Sequence, residues 1–184
     1  MKDWQEIVAR AKEISAGRMR RVAVAAAEDA GVLQAVVEAK AQGICDAVLI
    51  GDPGKIRDLA GKLELDLTGL EIGPAADAAE AAAQAAKLAA ARQADVIMKG
   101  FLPTSTLLKA VLAKDKGLKR SEIMSHCAVL SLPSYPRLLN ITDGGMVVSP
   151  DMNQKIEIIK NAIIVEHALG IATPCIALMV ATDL

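Results

Sequence analysis

Three observations predict an α/β fold with a mostly parallel sheet and flanking helices. Short apolar runs, typical of strands buried on both faces, occur at residues 21–27, 46–51, 70–73 and 95–100. Segments with apolar residues at helical spacing lie around them, beginning with residues 4–16. The regular alternation of the two favours parallel strands covered by helices.

The composition is that of a folded protein. The chain has 184 residues, of which 53% are apolar and 23% charged. Only 2% are aromatic, so the core must be built from aliphatic side chains. The net charge is −1, and the sequence has neither a basic stripe nor a row of stacking aromatics, so we expect no nucleic-acid partner.

Each predicted helix has a sequence signal. Residues 29–43 end at Gly43, which suits the position after a helix, and residues 53–63 begin with proline. The alanine-rich segment at residues 74–95 predicts a helix that starts at Pro74 and lies close to the sheet. A further helix is expected over residues 104–114.

The second half departs from this alternation. Strand-like residues 124–132 and 137–145 are separated only by "PSYP", which predicts a hairpin or an edge region, and a helix follows over residues 150–169. Strand-like residues 173–181 come just before the end of the chain. We therefore expect an N-terminal α/β domain at residues 1–125 and the start of a truncated second α/β domain at 126–184.

Several kinds of site are not indicated. Cys45, Cys127 and Cys175 are widely spaced, without metal-ligand spacing, and are expected to be small buried hydrophobes in a reducing compartment. His126 and His167 are expected to be structural. The sequence has no secretory apolar segment and no run long enough for a membrane span, so we expect a cytoplasmic protein with no membrane partner.

A candidate anion site lies where the strand at 95–100 meets the helix that begins near residue 104. Neither a Walker A nor a GxGxxG motif is present, but unpaired N–H groups at a helix start attract phosphate. We expect Thr104 or Ser105 to be the N-cap, and Lys99 to point toward the crevice beyond the strand ends. The alternative is an ordinary cap beside a solvated lysine. The candidate residues are Lys99, Gly100, Thr104, Ser105, Thr106 and Lys109.

A second cluster occurs in "NITDGGMVVSPD", residues 140–151. Asp143 ends a predicted strand, and Gly144 and Gly145 would allow a positive φ or a close approach by a ligand. Ser149 with Pro150 at the first helical position is expected to start the next helix. A plain strand–turn–helix connection is the alternative interpretation.

The stretch "MKGFLPTSTLLKAVL", followed by "SHCAVLSLPSYPRLLNITDGGMVVSPDMNQKIEIIKNAIIVEHALGI", resembles the phosphate acetyl/butyryltransferase family, and most of all its butyryltransferase branch. "AVLIGDPGKI" at residues 47–56 also fits the family. The resemblance implies a two-domain fold of the isocitrate and isopropylmalate dehydrogenase type. It also implies exchange of an acyl group between coenzyme A and phosphate in an interdomain cleft, with a dimer-based homo-oligomer.

The resemblance further implies that Thr104, Ser105 and Lys109 line the cleft, together with Asp143 and the glycines after it. Lys109 matches an arginine of the acetyltransferase branch. The family's proposed catalytic aspartate and a substrate-contacting arginine come from a later part, so no catalytic residue is assigned here. The chemistry needs no metal or redox cofactor, and coenzyme A is a substrate.

Two other functions remain open. The chain could be a non-catalytic fragment that retains a ligand-binding or oligomer surface. It could also be another member of the same fold that acts on a phosphorylated substrate, such as a fatty-acyl phosphate synthase or a hydroxythreonine-phosphate dehydrogenase relative.

Overall fold

A computed structural model describes residues 1–115 and 117–179 in full, and the backbone of residue 116. The chain divides into two compact units. One comprises Val8–Arg120, and the other comprises Met1–Ile7 with Ser121–Leu184, of which residues up to 179 are described. The expected domain division at residues 125 and 126 stays a prediction.

The unit Val8–Arg120 contains a four-stranded parallel sheet, as predicted. Its strands are β1 (Arg20–Ala25), β2 (Cys45–Gly51), β3 (Glu71–Pro74) and β4 (Val96–Lys99), in the order β3-β2-β1-β4. The chain thus runs from β1 outward through β2 to β3 and then crosses back to add β4 on the other side of β1. In open sheets of this kind, ligands bind beyond the carboxyl ends of the strands, at the place where the order reverses.

Helices cover both faces of this sheet. They are α2 (Ala30–Ala41), α3 (Pro53–Lys62), α4 (Ala78–Ala90) and α5 (Thr104–Val111), and a short 3₁₀ turn follows at Lys114–Lys116. Helix α1 (Trp4–Gly17) precedes β1. The helix expected over residues 104–114 is therefore shorter than predicted. As predicted, Gly43 follows the end of α2 with a positive φ of 71°.

Two apolar layers result from this arrangement. On one face, Leu33 of α2 and Ile56 of α3 pack with Val24 and Leu49 of the strands. On the other face, the alanines of α4 pack with Val48, Ile50 and neighbouring strand residues. Because alternate strand residues point to opposite faces and both faces are covered, the strands read as continuous apolar runs.

The alanine-rich helix begins later than predicted. Pro74 belongs to β3, and the N-cap of α4 is Asp77, whose carboxylate accepts the N–H of Glu80 at 2.8 Å. A carboxylate cap of this kind satisfies an N–H group that proline, which only fixes φ, cannot satisfy. The buried alanines of α4 are Ala81, Ala82, Ala85 and Ala86, and their small side chains let the helix lie close to the sheet.

The other unit contains the predicted hairpin. Strands β5 (Ala128–Leu130) and β6 (Leu139–Ile141) pair antiparallel, and helix α6 (Met152–Ala168) follows. Pro150 is not the first helical residue, because Asp151 forms a capping box with Gln154 and the helix begins after it.

The strand expected at residues 173–181 is absent over residues 173–179, and residues 180 and 181 lie outside the described part. A strand needs a pairing partner, and the ladders of the described residues do not include this segment. Among the described residues, no helix is both long and apolar enough to cross a bilayer.

Candidate functional site

The connection from β4 to α5 is fastened to the end of β1. The N–H of Gly100 donates to the carbonyl of Ala25 at 2.8 Å, and the N–H of Phe101 donates to the carbonyl of Ala26 at 2.7 Å. A Cβ atom on Gly100 would lie 2.0 Å from the Ala26 carbonyl oxygen. Only glycine permits this approach of the connection to β1.

Lys99 reinforces the same turn. Its ammonium group donates to the carbonyl of Leu102 at 2.8 Å and to that of Gly100 at 3.3 Å. These bonds direct the charge at the carbonyls of its own connection. Direct contact between Lys99 and a ligand stays a prediction, whereas its support of the turn is visible in the structure.

The N-cap of α5 is Pro103, so the expectation that Thr104 or Ser105 would be the cap is wrong. Pro103 has extended backbone, and its carbonyl accepts the N–H groups of Thr106 at 3.1 Å and Leu107 at 3.3 Å. Thr104, Ser105 and Thr106 therefore occupy the first three helical positions. Their backbone N–H groups and hydroxyls lie together at the positive end of the helix.

This helix start differs from the three others that follow the strands of the sheet. Helices α2, α3 and α4 are capped by the carboxylates of Asp29, Asp52 and Asp77, which satisfy N–H groups of the first turn. At α5, no side-chain hydrogen bond caps the helix among the described residues. The start of α5 is therefore the helix end along this edge of the sheet that is most suited to an anion from solution.

Lys109 lies in the last turn of α5 and is exposed. It is four residues after Ser105 and three after Thr106, so these side chains share one face of the helix. Helical side chains lean toward the N-terminus, which directs the lysine stem along that face toward the hydroxyls. Lys109 thus adds a positive charge to the helix face that carries Ser105 and Thr106.

Asp143 organises the loop after β6. One carboxylate oxygen accepts the N–H groups of His126 at 3.0 Å, Met146 at 3.2 Å and Gly145 at 3.3 Å. The other oxygen accepts the N–H of Val147 at 2.8 Å. Partial burial by itself would raise the pKa of Asp143, but these four backbone donors together lower the pKa below its usual value.

Gly144 and Gly145, which follow Asp143, do not have positive φ angles, so the expectation that they would adopt one is wrong. A Cβ atom on Gly145 would meet nothing within 4 Å, and one on Gly144 would lie 3.8 Å from His126. The loop conformation therefore depends on the carboxylate and not on glycine. Close approach of a ligand to Gly144 and Gly145 stays a prediction.

Replacing Asp143 by asparagine should destabilise the chain by about 1–2 kcal/mol near neutral pH, since the amide accepts hydrogen bonds with one oxygen instead of two. The lowered pKa makes this contribution complete above the unfolded-state value near ~3.9. It is lost as the pH falls through the lower folded-state value. Urea unfolding of both proteins between pH 3 and pH 7 should show a constant difference that shrinks only at the acid end; a difference that grew on acidification would contradict this assignment.

The cysteines are less buried than predicted. Cys45 and Cys127 are half-buried, and Cys175 is exposed. Cys127 donates to the side-chain oxygen of Asn140 at 3.0 Å. Burial, followed by the charge of Asp46, raises the pKa of the Cys45 thiol, which makes it a poor nucleophile. Within the described residues, no group of His, Cys, Asp and Glu is placed to hold a metal ion.

The sequence interpretation missed a cavity at the carboxyl edge of the sheet. It has a volume of about 330 Å³ and is lined by Phe101, by charged residues that follow β1, β2 and β3, and by alanines. The charged residues that line it are Glu28, Asp52, Lys55 and Asp77. Their positions just after buried strands were the available signal, because the ends of parallel strands meet at one edge.

The predicted site residues thus form two groups. Lys99, Gly100 and the α5 residues lie in the unit Val8–Arg120, whereas Asp143, Gly144 and Gly145 lie in the other unit. Each group is locally ordered by hydrogen bonds within its own unit.

Comparison with known proteins places these features in context. The family model described as "Phosphate acetyl/butaryl transferase" matches residues 4–83 and 75–183. The phosphate butyryltransferase of Clostridium beijerinckii is 39% identical over 176 residues, which is 96% of this chain and 57% of that protein. The phosphate butyryltransferase of Clostridium acetobutylicum is 38% identical over 183 residues, covering 100% of this chain and 60% of that protein.

Solved structures agree with the fold. A branched-chain phosphotransacylase from Enterococcus faecalis superposes with a TM-score of 0.68 at 28% identity, over 83% of this chain and 52% of that one. The EutD phosphotransacetylase from Staphylococcus aureus gives a TM-score of 0.73 at 16% identity, over 90% and 58%. The chain spans 57–60% of the length of the two clostridial relatives.

Proposed function

The chain belongs to the phosphate acetyl/butyryltransferase family, and we propose that it serves the exchange of a short acyl group between coenzyme A and inorganic phosphate. The proposed reaction converts butyryl-CoA and phosphate into butyryl phosphate and coenzyme A. The observation that carries the proposal is the start of α5, where three hydroxyls and uncapped backbone N–H groups coincide at a helix N-terminus.

The chemistry balances without an added reductant or oxidant. In the direction of thioester formation, the thiol of coenzyme A loses its proton, and the thiolate attacks the acyl-phosphate carbonyl. The tetrahedral intermediate then collapses, the carbon–oxygen bond to phosphate breaks, and phosphate leaves with the electron pair. A protein accelerates these steps by accepting the thiol proton and by stabilising the negative charge on the oxyanion and on phosphate.

The α5 residues suit the phosphate part of this task. The backbone N–H groups of Thr104 and Ser105 and the hydroxyls of all three residues are neutral donors, and the Lys109 ammonium adds a charge on the face of Ser105 and Thr106. Lysine is a point charge on a flexible stem and lacks the rigid guanidinium group of arginine. In the proposed reaction, Lys109 therefore stays paired with phosphate as the phosphate changes position.

Asp143 is not suited to take the thiol proton. Its carboxylate accepts four backbone N–H groups, and its lowered pKa makes it a weak base. Its proposed role is to hold Gly144 and Gly145 in position near the substrates. The general base remains unassigned.

We expect a cytoplasmic enzyme that acts as a homo-oligomer built on dimers, with acyl-CoA and phosphate as its ligands and without nucleic-acid or membrane partners. Neither a metal nor a redox cofactor has a part in the proposed steps.

The proposal is tested with the natural gene product by measuring phosphate-dependent release of coenzyme A thiol from butyryl-CoA. Replacing Lys109 by alanine should raise the KM for phosphate about tenfold with a smaller change in kcat, because a charge near the anion is lost. Lys87→Ala removes an exposed lysine from α4 and should leave the KM for phosphate unchanged. No phosphate-dependent thiol release by the parent would refute the function, and an unchanged KM in Lys109→Ala would remove Lys109 from the site.

A further inference from the structure

The cavity at the carboxyl edge of the sheet has an apolar wall and a charged rim. Alanines that follow β1 and β3, and alanines of the first turn of α4, form the wall together with Phe101. The lining alanines are Ala26, Ala75, Ala76, Ala78 and Ala81. Small side chains leave the space that gives the cavity its volume of about 330 Å³.

The carboxylates of the rim already have backbone partners. Glu28 accepts the N–H of Asp52 at 2.6 Å, Asp52 accepts the N–H of Gly54 at 2.8 Å, and Asp77 accepts the N–H of Glu80 at 2.8 Å. These three negative charges outnumber the single cation Lys55. A phosphate or the diphosphate of coenzyme A would be repelled here, so the cavity suits an uncharged part of a substrate.

Phe101 is the apolar side chain best placed to contact such a group. It is one of three aromatic residues in the chain, and 74% of its surface is exposed. The hydrogen bond from its N–H to the Ala26 carbonyl, and the bonds from Lys99 to the carbonyls of Gly100 and Leu102, fix the backbone on both sides of the ring. An aromatic ring that is held in solvent beside an apolar wall can gain substantial burial when an aliphatic ligand enters.

We propose that this cavity, with Phe101 as its aromatic wall, receives the aliphatic chain of the acyl group and sets the preference for chain length. The inference rests on the proposed function. The residue order supports it, because Phe101 lies only three positions before Thr104 on the same connection. The uncharged acyl chain and the phosphate would then occupy neighbouring places that the same turn controls.

The test compares the kcat/KM values of the natural gene product for butyryl-CoA and acetyl-CoA. Phe101→Ala should lower the ratio of these two values by about fivefold to tenfold, because the longer chain loses more apolar contact. Phe101→Leu keeps an aliphatic surface and should restore most of the ratio. Ala76→Leu adds bulk at an exposed wall position and should lower the same ratio by obstructing the longer chain.

Val96→Ala serves as the matched control, since it trims an exposed apolar side chain on β4 that does not line the cavity. Its ratio should equal that of the parent. An active parent that uses both thioesters equally well, or a ratio that Phe101→Ala leaves unchanged, would overturn the inference. A parent without phosphate-dependent activity would instead refute the proposed function, so the two failures are distinguishable.

Discussion

Gly100→Ala is expected to destabilise the chain by more than about 3 kcal/mol and to deplete the folded protein during expression. The added Cβ would lie 2.0 Å from the Ala26 carbonyl oxygen and 2.8 Å from that of Ala25. Both contacts involve backbone atoms of β1 and its extension, which cannot rotate away as a side chain could. Relief would require the end of β4 to separate from β1, with loss of the hydrogen bonds that Gly100 and Phe101 donate there.

The measurement is urea unfolding followed by far-ultraviolet circular dichroism. Gly61→Ala is the matched control, because Gly61 lies within α3 and a Cβ there would meet nothing within 4 Å. Alanine in a helix should stabilise the chain by about 0.4–1 kcal/mol. If Gly100→Ala unfolded at the parent's urea concentration, the close approach of β4 to β1 would be wrong.

Gly100→Ala should change substrate binding as well as stability. The turn that begins at Gly100 places both Phe101 and the start of α5. A folded Gly100→Ala population, if recovered at low temperature, should therefore have a higher KM for phosphate and a weaker preference for the longer acyl chain. If Gly100→Ala changed only the KM for phosphate, or only the acyl-chain preference, the turn would not control both.

Ala85→Leu should be the next most damaging substitution, with a loss of about 2–3 kcal/mol. Ala85 is fully buried where α4 packs on the sheet, beside strand residues such as Val48 and Ile50. A leucine side chain has no space there, so α4 would have to move away from the strands. Interiors are close-packed, and such a shift breaks contacts along the whole helix.

Ala83→Leu provides the comparison within the same helix. Ala83 is exposed, and leucine has nearly the same helix propensity as alanine, so its effect should stay within about 0.5 kcal/mol. Thermal unfolding of the two variants at equal concentration gives the difference directly. Equal stabilities of the two would mean that α4 does not lie against the sheet through its Ala85 face.

The sequence predicted much of the fold because its signals are local. Apolar runs at residues 21–27 and 46–51 predicted buried parallel strands, and the helical spacing between them predicted the covering helices. The hairpin around "PSYP" was also predicted from strand-like runs with a short connection. Two helix starts were misplaced, because an aspartate near Pro74 and another near Pro150 provides the cap. The strand expected at residues 173–181 was also wrong over residues 173–179.

The candidate site was predicted only in part. The type of residues around α5 was visible in the sequence, but the N-cap was expected one or two positions after Pro103, which is the observed cap. The partners of Lys99 and Asp143 were not visible, because each bonds to backbone groups whose positions depend on the folded connection. The role of Phe101 required the cavity, to which strands far apart in sequence contribute.

By itself, the sequence determined that this chain alternates buried strands with helices, since periodicity and composition are properties of consecutive residues. It also determined the family, through motifs that occur in order along the chain. Only the tertiary structure decided which charges are already paired, which helix start is left uncapped and why residue 100 must be glycine. Those facts depend on distances between groups that are remote in sequence, such as Ala26 and Gly100, and tertiary hydrogen bonds and packing set such distances.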